Sequence, residues 1–304
     1  MKKVLLTLLI LFLAPAPRIF SLDLMLSGGL GNLAFDNKRT EALSALSPAG
    51  HFKPSYFPLI LTQLSGDYKD LYYSIGFERD PILRNRLFAN LKLDLEYFFL
   101  EAGPILGLFN SSKQPLSPGA SVGLGFTFPG IIFAEASGST TIGILMESSG
   151  SYFQRSGDII AGFWVPYVVC SFTMSIRNFT SREAANLVIE DSLKRYYFRA
   201  DVYTKNLPYT IRLDLGFQDL SRSYTSRELT SGGDLVHNTD TDEFKSVFLG
   251  LEGSYTINPV VKVFLGGEIP VYSWGVRPMK DPPKSAFLFK IWTGFIWTLP
   301  AGKN

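Results

Sequence analysis

Apolar and polar residues alternate along several stretches of this chain. The clearest stretch is residues 89–97, where every second residue is apolar or aromatic and every residue between is polar or charged. The same pattern returns at residues 71–78, 198–204, 209–218, 247–255 and 261–268. Because successive side chains of a β-strand point to opposite faces, the pattern predicts strands with one apolar and one polar face.

The connections between these stretches alternate between short and long. Compact turn signals lie at residues 79–86, 129–130, 205–208 and 258–259. Longer polar stretches lie at residues 37–56, 180–192, 221–242 and 274–284. An antiparallel barrel of the outer-membrane type has short turns at one end and long loops at the other, so this order favours such a barrel.

The pattern predicts about twelve strands, an even number as in single-chain bacterial barrels, with 8, 10 or 14 also compatible. They are expected near residues 22–35, 67–79, 87–109, 119–128, 131–139, 152–164, 167–179, 194–204, 209–220, 244–256, 260–272 and 286–299. The predicted fold is therefore all-β: a transmembrane, antiparallel, up-and-down β-barrel. In this register Leu93 is expected to face lipid at mid-membrane and Asn90 to face the lumen.

The first residues have the pattern of a secretory signal peptide. Lys2 and Lys3 form a positive start, residues 4–14 are a short apolar run, and small residues follow from Ala14. We expect a cleaved signal peptide at residues 1–21 and one barrel domain at residues 22–304. The only cysteine is Cys170, so no internal disulfide is possible.

Composition agrees with a membrane barrel and excludes other classes. The chain is 46% hydrophobic and 18% charged, with a mean hydropathy of +0.14, yet after the leader it lacks an apolar run long enough for a membrane helix. Its net charge of +2 includes Lys2, Lys3 and Arg18, which the predicted leader carries. No basic surface for nucleic acid is therefore expected.

Aromatic residues gather toward the ends of the predicted strands, where rings of a membrane barrel meet the headgroup level. A soluble β-sandwich would more often place them in mid-strand. The residues expected in these aromatic girdles are Tyr73, Tyr97, Phe99, Tyr272, Trp274, Trp292, Phe295 and Trp297.

The polar face of the predicted strands carries many charges, which a soluble core would hold only if all were paired but a wet lumen accommodates. The expected lumen-lining residues are Glu78, Lys92, Asp94, Glu96, Arg177, Arg199, Asp201, Arg212, Asp214, Glu252, Lys262, Glu268 and Lys290. Positive and negative members are nearly equal in number, which argues against strong ion selectivity.

Candidate catalytic chemistry is sparse. His51 and His237 are the only histidines and both lie in predicted loops, so the sequence indicates neither a metal site nor a cofactor. Residues 231–243 hold Ser, His and Asp close together, but as an irregular loop with nothing to orient a base. A barrel hydrolase is a minor alternative, and no catalytic residue is assigned.

Two segments carry a family resemblance. YSIGFERDP at residues 73–81, continued by ILRNRL and closed by GPILG at residues 103–107, resembles small outer-membrane β-barrel proteins of spirochaetes, particularly treponemal ones. GGEIPVY at residues 266–272 resembles the penultimate strand of several outer-membrane barrel families. The resemblance implies a barrel in the outer membrane with transport or an uncharacterised role, and it transfers no catalytic residues.

These observations predict an exported protein of the cell outer membrane. Its expected partners are the lipid bilayer, the outer-membrane assembly machinery and small solutes. The expected function is a narrow, weakly selective channel or transporter. The alternative is a barrel with a plugged lumen that acts as a surface scaffold or adhesin through its external loops.

Overall fold

The computed structural model of the chain describes residues 21–33, 56–109, 114–142, 150–184, 187–203, 207–229, 235–274 and 288–299. Within these ranges no helix is long and apolar enough to cross a membrane. The described residues form fourteen strands: β1 Ser21–Gly31, β2 Phe57–Tyr68, β3 Leu71–Asp80, β4 Arg84–Leu95, β5 Phe98–Leu108, β6 Leu116–Phe128, β7 Ile132–Thr141, β8 Ser151–Val165, β9 Val168–Ala184, β10 Leu187–Tyr203, β11 Tyr209–Leu229, β12 Leu235–Asn258, β13 Val261–Trp274 and β14 Lys290–Leu299.

The strands close into one barrel. Each strand pairs antiparallel with the next in the chain, and β1 pairs with β14, with Leu22 opposite Leu299 and Gly31 opposite Lys290. Closure leaves no sheet edge among the described strands. The predicted all-β, up-and-down barrel is confirmed, with fourteen strands instead of about twelve.

The two missed strands have separate physical causes. β2 begins with a nearly continuous apolar run at residues 57–61, so its inner and outer faces do not alternate in polarity. The predicted strand at residues 87–109 is two strands, β4 and β5, joined by a turn in which Glu96 has a φ of +62°. Alternation continues up to this turn and therefore concealed it.

Two predicted loops are strands. Residues 180–192 and 221–242 largely belong to β9–β12, which are 17, 17, 21 and 24 residues long. Their outer face becomes polar at Lys194, Asp219 and Lys245, and the next row is also polar, with Asn178, Ser192, Ser221 and Glu243 side by side in the register. Where both faces of a strand are polar, hydrophobic alternation disappears although the hydrogen-bonded ladder continues.

The barrel has a turn end and a loop end. The connections at the turn end are all short, including those between Tyr68 and Leu71, Leu95 and Phe98, and Val165 and Val168. The first residue of β1 and the last of β14 also lie there. The loop end is the opposite rim. It holds the longer connections together with the short ones between β3 and β4 and between β9 and β10, so the turn predicted at residues 79–86 lies at the loop end.

Apolar side chains cover the outer face as a band between two groups of aromatic residues. At the turn end the outer aromatics include Tyr97, Phe128, Tyr167, Tyr209, Tyr255 and Trp297, all more than 40% exposed. At the loop end Trp274 lies 5.6 Å from Phe217 and 5.5 Å from Tyr272, measured between ring centroids. These groups agree in position with the two girdles of a membrane barrel.

The spacing of the aromatic groups gives the height of the band. Tyr209 and Phe217 lie eight residues apart on β11, which is about 26 Å along a strand. At a tilt of about 40° this is about 20 Å across the band, close to the roughly 25 Å of known barrels. Leu93 lies two residues from the end of β4, so its expected mid-membrane depth is corrected to a position near the turn end.

A charge introduced on the outer apolar band should destabilise the protein more at the middle of the band than near its edge. Leu213 lies midway between Tyr209 and Phe217 on the outer face, so Leu213→Lys should lower the free energy of unfolding by about 2–4 kcal/mol. Leu93→Lys should cost about 0–1 kcal/mol, because its ammonium can reach the interface. Denaturant titration in lipid vesicles, followed by tryptophan fluorescence, measures both. Equal losses would contradict the position of the band.

Candidate functional site

Side-chain contacts between strands that are not neighbours define the barrel interior. Arg195 of β10 donates to a carboxylate oxygen of Glu268 on β13. Arg86 of β4 donates to the hydroxyls of Ser139 and Ser156, on β7 and β8, at 3.3 and 3.4 Å. Such contacts can form only across the inside of the barrel, so they fix which side chains face inward.

Ion pairs form a ladder on the inner face of β10, β11 and β12. The register places Arg199 opposite Asp214 and Arg212 opposite both Asp201 and Glu252. Arg199 Nε lies 2.8 Å from Asp214 Oδ1, and Arg212 lies 2.7 Å from Asp201 and 3.2 Å from Glu252. These side chains are 14–37% exposed, so they line an aqueous surface and each pair contributes about 0–1 kcal/mol to stability.

A second group of ion pairs surrounds a cavity of about 240 Å³ within the barrel. Arg177 Nη1 lies 2.9 Å from Asp158 Oδ2, and Arg86 Nε donates to Glu78 Oε2 at 2.6 Å. Asp158, Arg177, Glu78, Glu268 and Lys290 contribute to the cavity wall. The wall thus carries both signs of charge.

The strand register places twelve of the thirteen sequence-predicted lumen residues at inward positions. These are Glu78, Lys92, Asp94, Arg177, Arg199, Asp201, Arg212, Asp214, Glu252, Lys262, Glu268 and Lys290. Glu96 is a correction, because it lies in the turn between β4 and β5.

The alternation pattern does not reveal several ionic residues that face the barrel interior. Arg86 falls in a segment interpreted as a turn, and Asp158 precedes an apolar run that hides its alternation. Asp191 and Arg222 fall in segments interpreted as loops. Spacing in the sequence could have identified Asp191, because every second residue from Asp191 to Asp201 on β10 faces inward.

Two of the predicted girdle aromatics face the interior. Phe99 lies beneath Lys92, whose Nζ is 3.9 Å from the ring centroid, and Trp292 Nε1 donates to Glu252 Oε2 at 2.7 Å. The two-residue turn before β5 shifts the inward position from Phe98 to Phe99. The remaining candidates lie on the outer face or in a turn, namely Tyr73, Tyr97, Tyr272, Trp274, Phe295 and Trp297.

An apolar cluster fills the interior near the loop end. We call it the inner plug and define it as Ile82, Tyr152, Phe179, Leu220 and Phe244, each at most 3% exposed. Leu83, next to Ile82 in the chain, is also fully buried. The side-chain Oδ1 of Asp80 accepts hydrogen bonds from the backbone N–H groups of Ile82 and Leu83 at 2.7 and 2.8 Å. The connection between β3 and β4 is thereby folded into the barrel.

A buried ionic triad lies beside the inner plug. Arg84 Nη2 is 3.1 Å from Asp191 Oδ2, and Arg222 Nη2 donates to the same oxygen at 2.9 Å. The three side chains are at most 9% exposed. Arg84 also lies 5.7 Å from the ring centroid of Phe179, so the triad ties β4, β10 and β11 to the plug.

The described residues offer little catalytic chemistry. The backbone of His237 belongs to β12 and pairs with Arg227, which corrects its predicted place in an irregular loop, while its side chain lies outside the described residues. His51 and residues 231–234 also lie outside them. No group of three or more potential metal ligands occurs in the part of the chain that the structure describes.

The sequence matches no protein-family model and no curated protein. Similar solved structures include a bacterial polysaccharide outer membrane secretin, at 10% identity over 94% of this chain and 99% of that one, with a TM-score of 0.48. A porin structure is 11% identical over 92% of this chain and 99% of its own, with a TM-score of 0.42. An outer membrane channel from Pseudomonas putida F1 is 8% identical over 94% of this chain and 97% of its own, with a TM-score of 0.44. At these identities the similarity concerns the fold alone.

The triad predicts a large stability effect. Asp191→Ala leaves Arg84 and Arg222 buried without their shared carboxylate, and should lower the free energy of unfolding by about 3–5 kcal/mol. Lys245→Gln is the control, because its partner Glu243, 3.0 Å away, is about a quarter exposed and the pair is worth about 0–1 kcal/mol. Denaturant titration of the refolded proteins checks both values. A loss below that of the control would exclude a stabilising triad.

Proposed function

We propose that this protein is an outer-membrane β-barrel that forms a narrow, weakly selective channel for small solutes. An apolar outer band bounded by aromatic residues supports the membrane placement. The observation that carries the channel proposal is the inner ladder of partly hydrated ion pairs from Arg199 to Glu252. A surface of this kind belongs against water, because burial would impose a large desolvation cost.

The weak selectivity follows from charge pairing in the lumen. Arg177 faces Asp158, Arg199 faces Asp214, and Arg195 faces Glu268. Each pair cancels most of its own field beyond a Debye length of about 8 Å at physiological salt. A small ion of either sign therefore meets a similar potential, and size is the main filter.

In the proposed channel, the inner plug closes the loop end. The inner plug occupies the interior there. Ile82 reaches it from the short connection between β3 and β4, which also carries the buried Leu83. Transport would require displacement of this connection, whereas the barrel wall can stay paired. The connection is thus the proposed gate, and the plug residues of β8, β9, β11 and β12 form its seat.

The proposed route to the membrane begins with export. A signal peptide at residues 1–21 would direct the chain out of the cytoplasm, and the outer-membrane assembly machinery would close β1 against β14. The resemblance of residues 73–87 and 103–107 to spirochaetal barrels, and of residues 266–272 to the penultimate strand of several outer-membrane barrel families, accords with this route.

A surface scaffold or adhesin is the second candidate function. The observation that favours it is the wall formed by β9–β12, which continues beyond the loop-end aromatics with a polar outer face. Lys245 there pairs with Glu243 and approaches Asp219 to 3.9 Å. Such a wall offers a rigid polar surface to a partner outside the membrane.

Planar-bilayer recording of the refolded protein separates the two functions. The double variant Ile82→Ser, Leu83→Ser removes apolar contacts from the proposed gate, and its single-channel conductance should exceed that of the wild type severalfold. The wild type should discriminate little between potassium and chloride. Leu87→Ser is the control, because Leu87 is on the outer face of β4. Absence of conductance steps from wild type and double variant alike would reject the channel and favour the scaffold.

A further inference from the structure

The outer wall of the barrel contains a groove that the channel does not use. It has a volume of about 600 Å³ and crosses the apolar band over β5–β9. Ala136, Gly138 and Gly157 form its floor. Val122 and Leu124 rise on one side, and Ile159 and Met174 rise on the other.

Neither floor glycine is required by the backbone. A Cβ atom at Gly138 would come no closer than 3.5 Å to a neighbouring heavy atom, and one at Gly157 no closer than 3.7 Å. Neither residue has a positive φ. The two glycines lie opposite each other in the β7–β8 pair, so their lack of side chains creates the groove without serving the local fold.

A positive charge stands at the loop-end mouth of the groove. Arg155 is the next outward residue after Gly157 on β8 and is exposed. Its guanidinium lies 4.4 Å from the ring centroid of the buried Phe153, which holds it in place. Among the side chains that the structure describes, none forms an ion pair or hydrogen bond with this guanidinium.

We propose that the groove binds one acyl chain of an anionic, phosphate-bearing membrane lipid, with the lipid phosphate at Arg155. An apolar groove with glycines in its floor can hold a hydrocarbon chain, and an arginine that has no acidic partner among the described residues is suited to a phosphate. Asn178, an outward neighbour of Arg155 in the register, can donate a further hydrogen bond from its side-chain amide to a lipid oxygen. The inference goes beyond solute passage and rests on the proposed membrane placement alone.

The lipid is preferred over a second copy of this chain. Another barrel would present a convex apolar wall, which is a poor match in shape for a concave groove. Among the described strand residues, the acids that point outward are Glu190, Asp219 and Glu243, and all three lie toward the loop end of the outer face. The apolar band of a second copy therefore offers Arg155 no carboxylate among the described residues.

Lipid retention tests the proposal. The protein and its variants are inserted into vesicles of equal phosphatidylglycerol and phosphatidylcholine, extracted in mild detergent, and weighed intact by native mass spectrometry. The wild type should retain one phosphatidylglycerol per barrel in preference to phosphatidylcholine. Arg155→Gln should reduce phosphatidylglycerol retention about tenfold, the effect of losing a charge-assisted hydrogen bond.

Filling the groove supplies the second arm of the test. Gly157→Leu should abolish retention of both lipids, whereas Gly253→Leu should leave it unchanged. Gly253 is the matched control, because it also faces outward and a Cβ there meets nothing within 4 Å.

Equal retention of both lipids by wild type, Arg155→Gln and Gly157→Leu would overturn the proposal. So would a wild-type dimer that Gly157→Leu separates. Failure of the membrane placement itself would appear earlier, as protein that does not float with vesicles, and failure of the channel proposal would appear only in the conductance recordings.

Discussion

The hydrogen-bonded closure of β1 on β14 is the constraint on which the rest of the structure depends. A hydrocarbon layer offers no water to an unpaired N–H or C=O group, so a sheet can cross it only without edges. The continuous pairing from Leu22–Leu299 to Gly31–Lys290 meets that requirement. Closure also gives every strand an inner and an outer face, so the outer face can contact lipid while the inner face contacts water.

Alternation with a period of two divides the chemistry between these faces. On β11 the inward residues Arg212 and Asp214 form ion pairs, while the outward residues Leu213 and Leu215 are exposed in the apolar band. Near the loop end the division changes: the inner face becomes apolar in the plug and the outer face becomes polar. The change places the apolar plug and the buried ionic triad at the loop end and the partly exposed ion pairs toward the turn end of one continuous sheet.

This reversal explains which parts of the molecule the sequence could predict. The strands around Leu93, Leu213 and Leu251 were recoverable, because one face meets lipid and the other meets water. β2 lacks this contrast in polarity near the plug, and the ends of β9–β12 lack it because both of their faces are polar. These segments therefore show no hydrophobic alternation in the sequence, although their backbones remain hydrogen-bonded to the neighbouring strands. The turn at Glu96 was hidden because alternation leads directly into it. The two missed strands together left the count even, so strand parity could not reveal either error.

The ionic residues show the same limit at the level of single contacts. The face on which a residue lies could be inferred within a strand, and this placed Arg199 and Asp201 together on one face. Contacts across the barrel, such as Arg195 with Glu268, depend on curvature and strand tilt, which a pattern along the chain does not encode.

The separation of faces also makes the lipid groove and the lumen independent features of one wall. Gly157 faces outward beside Asp158, which pairs inward with Arg177. A leucine at Gly157 would enter the groove without reaching that ion pair, because adjacent residues of a strand point to opposite sides. A lipid bound at Arg155 would therefore act on the proposed channel only through the position of β8 itself.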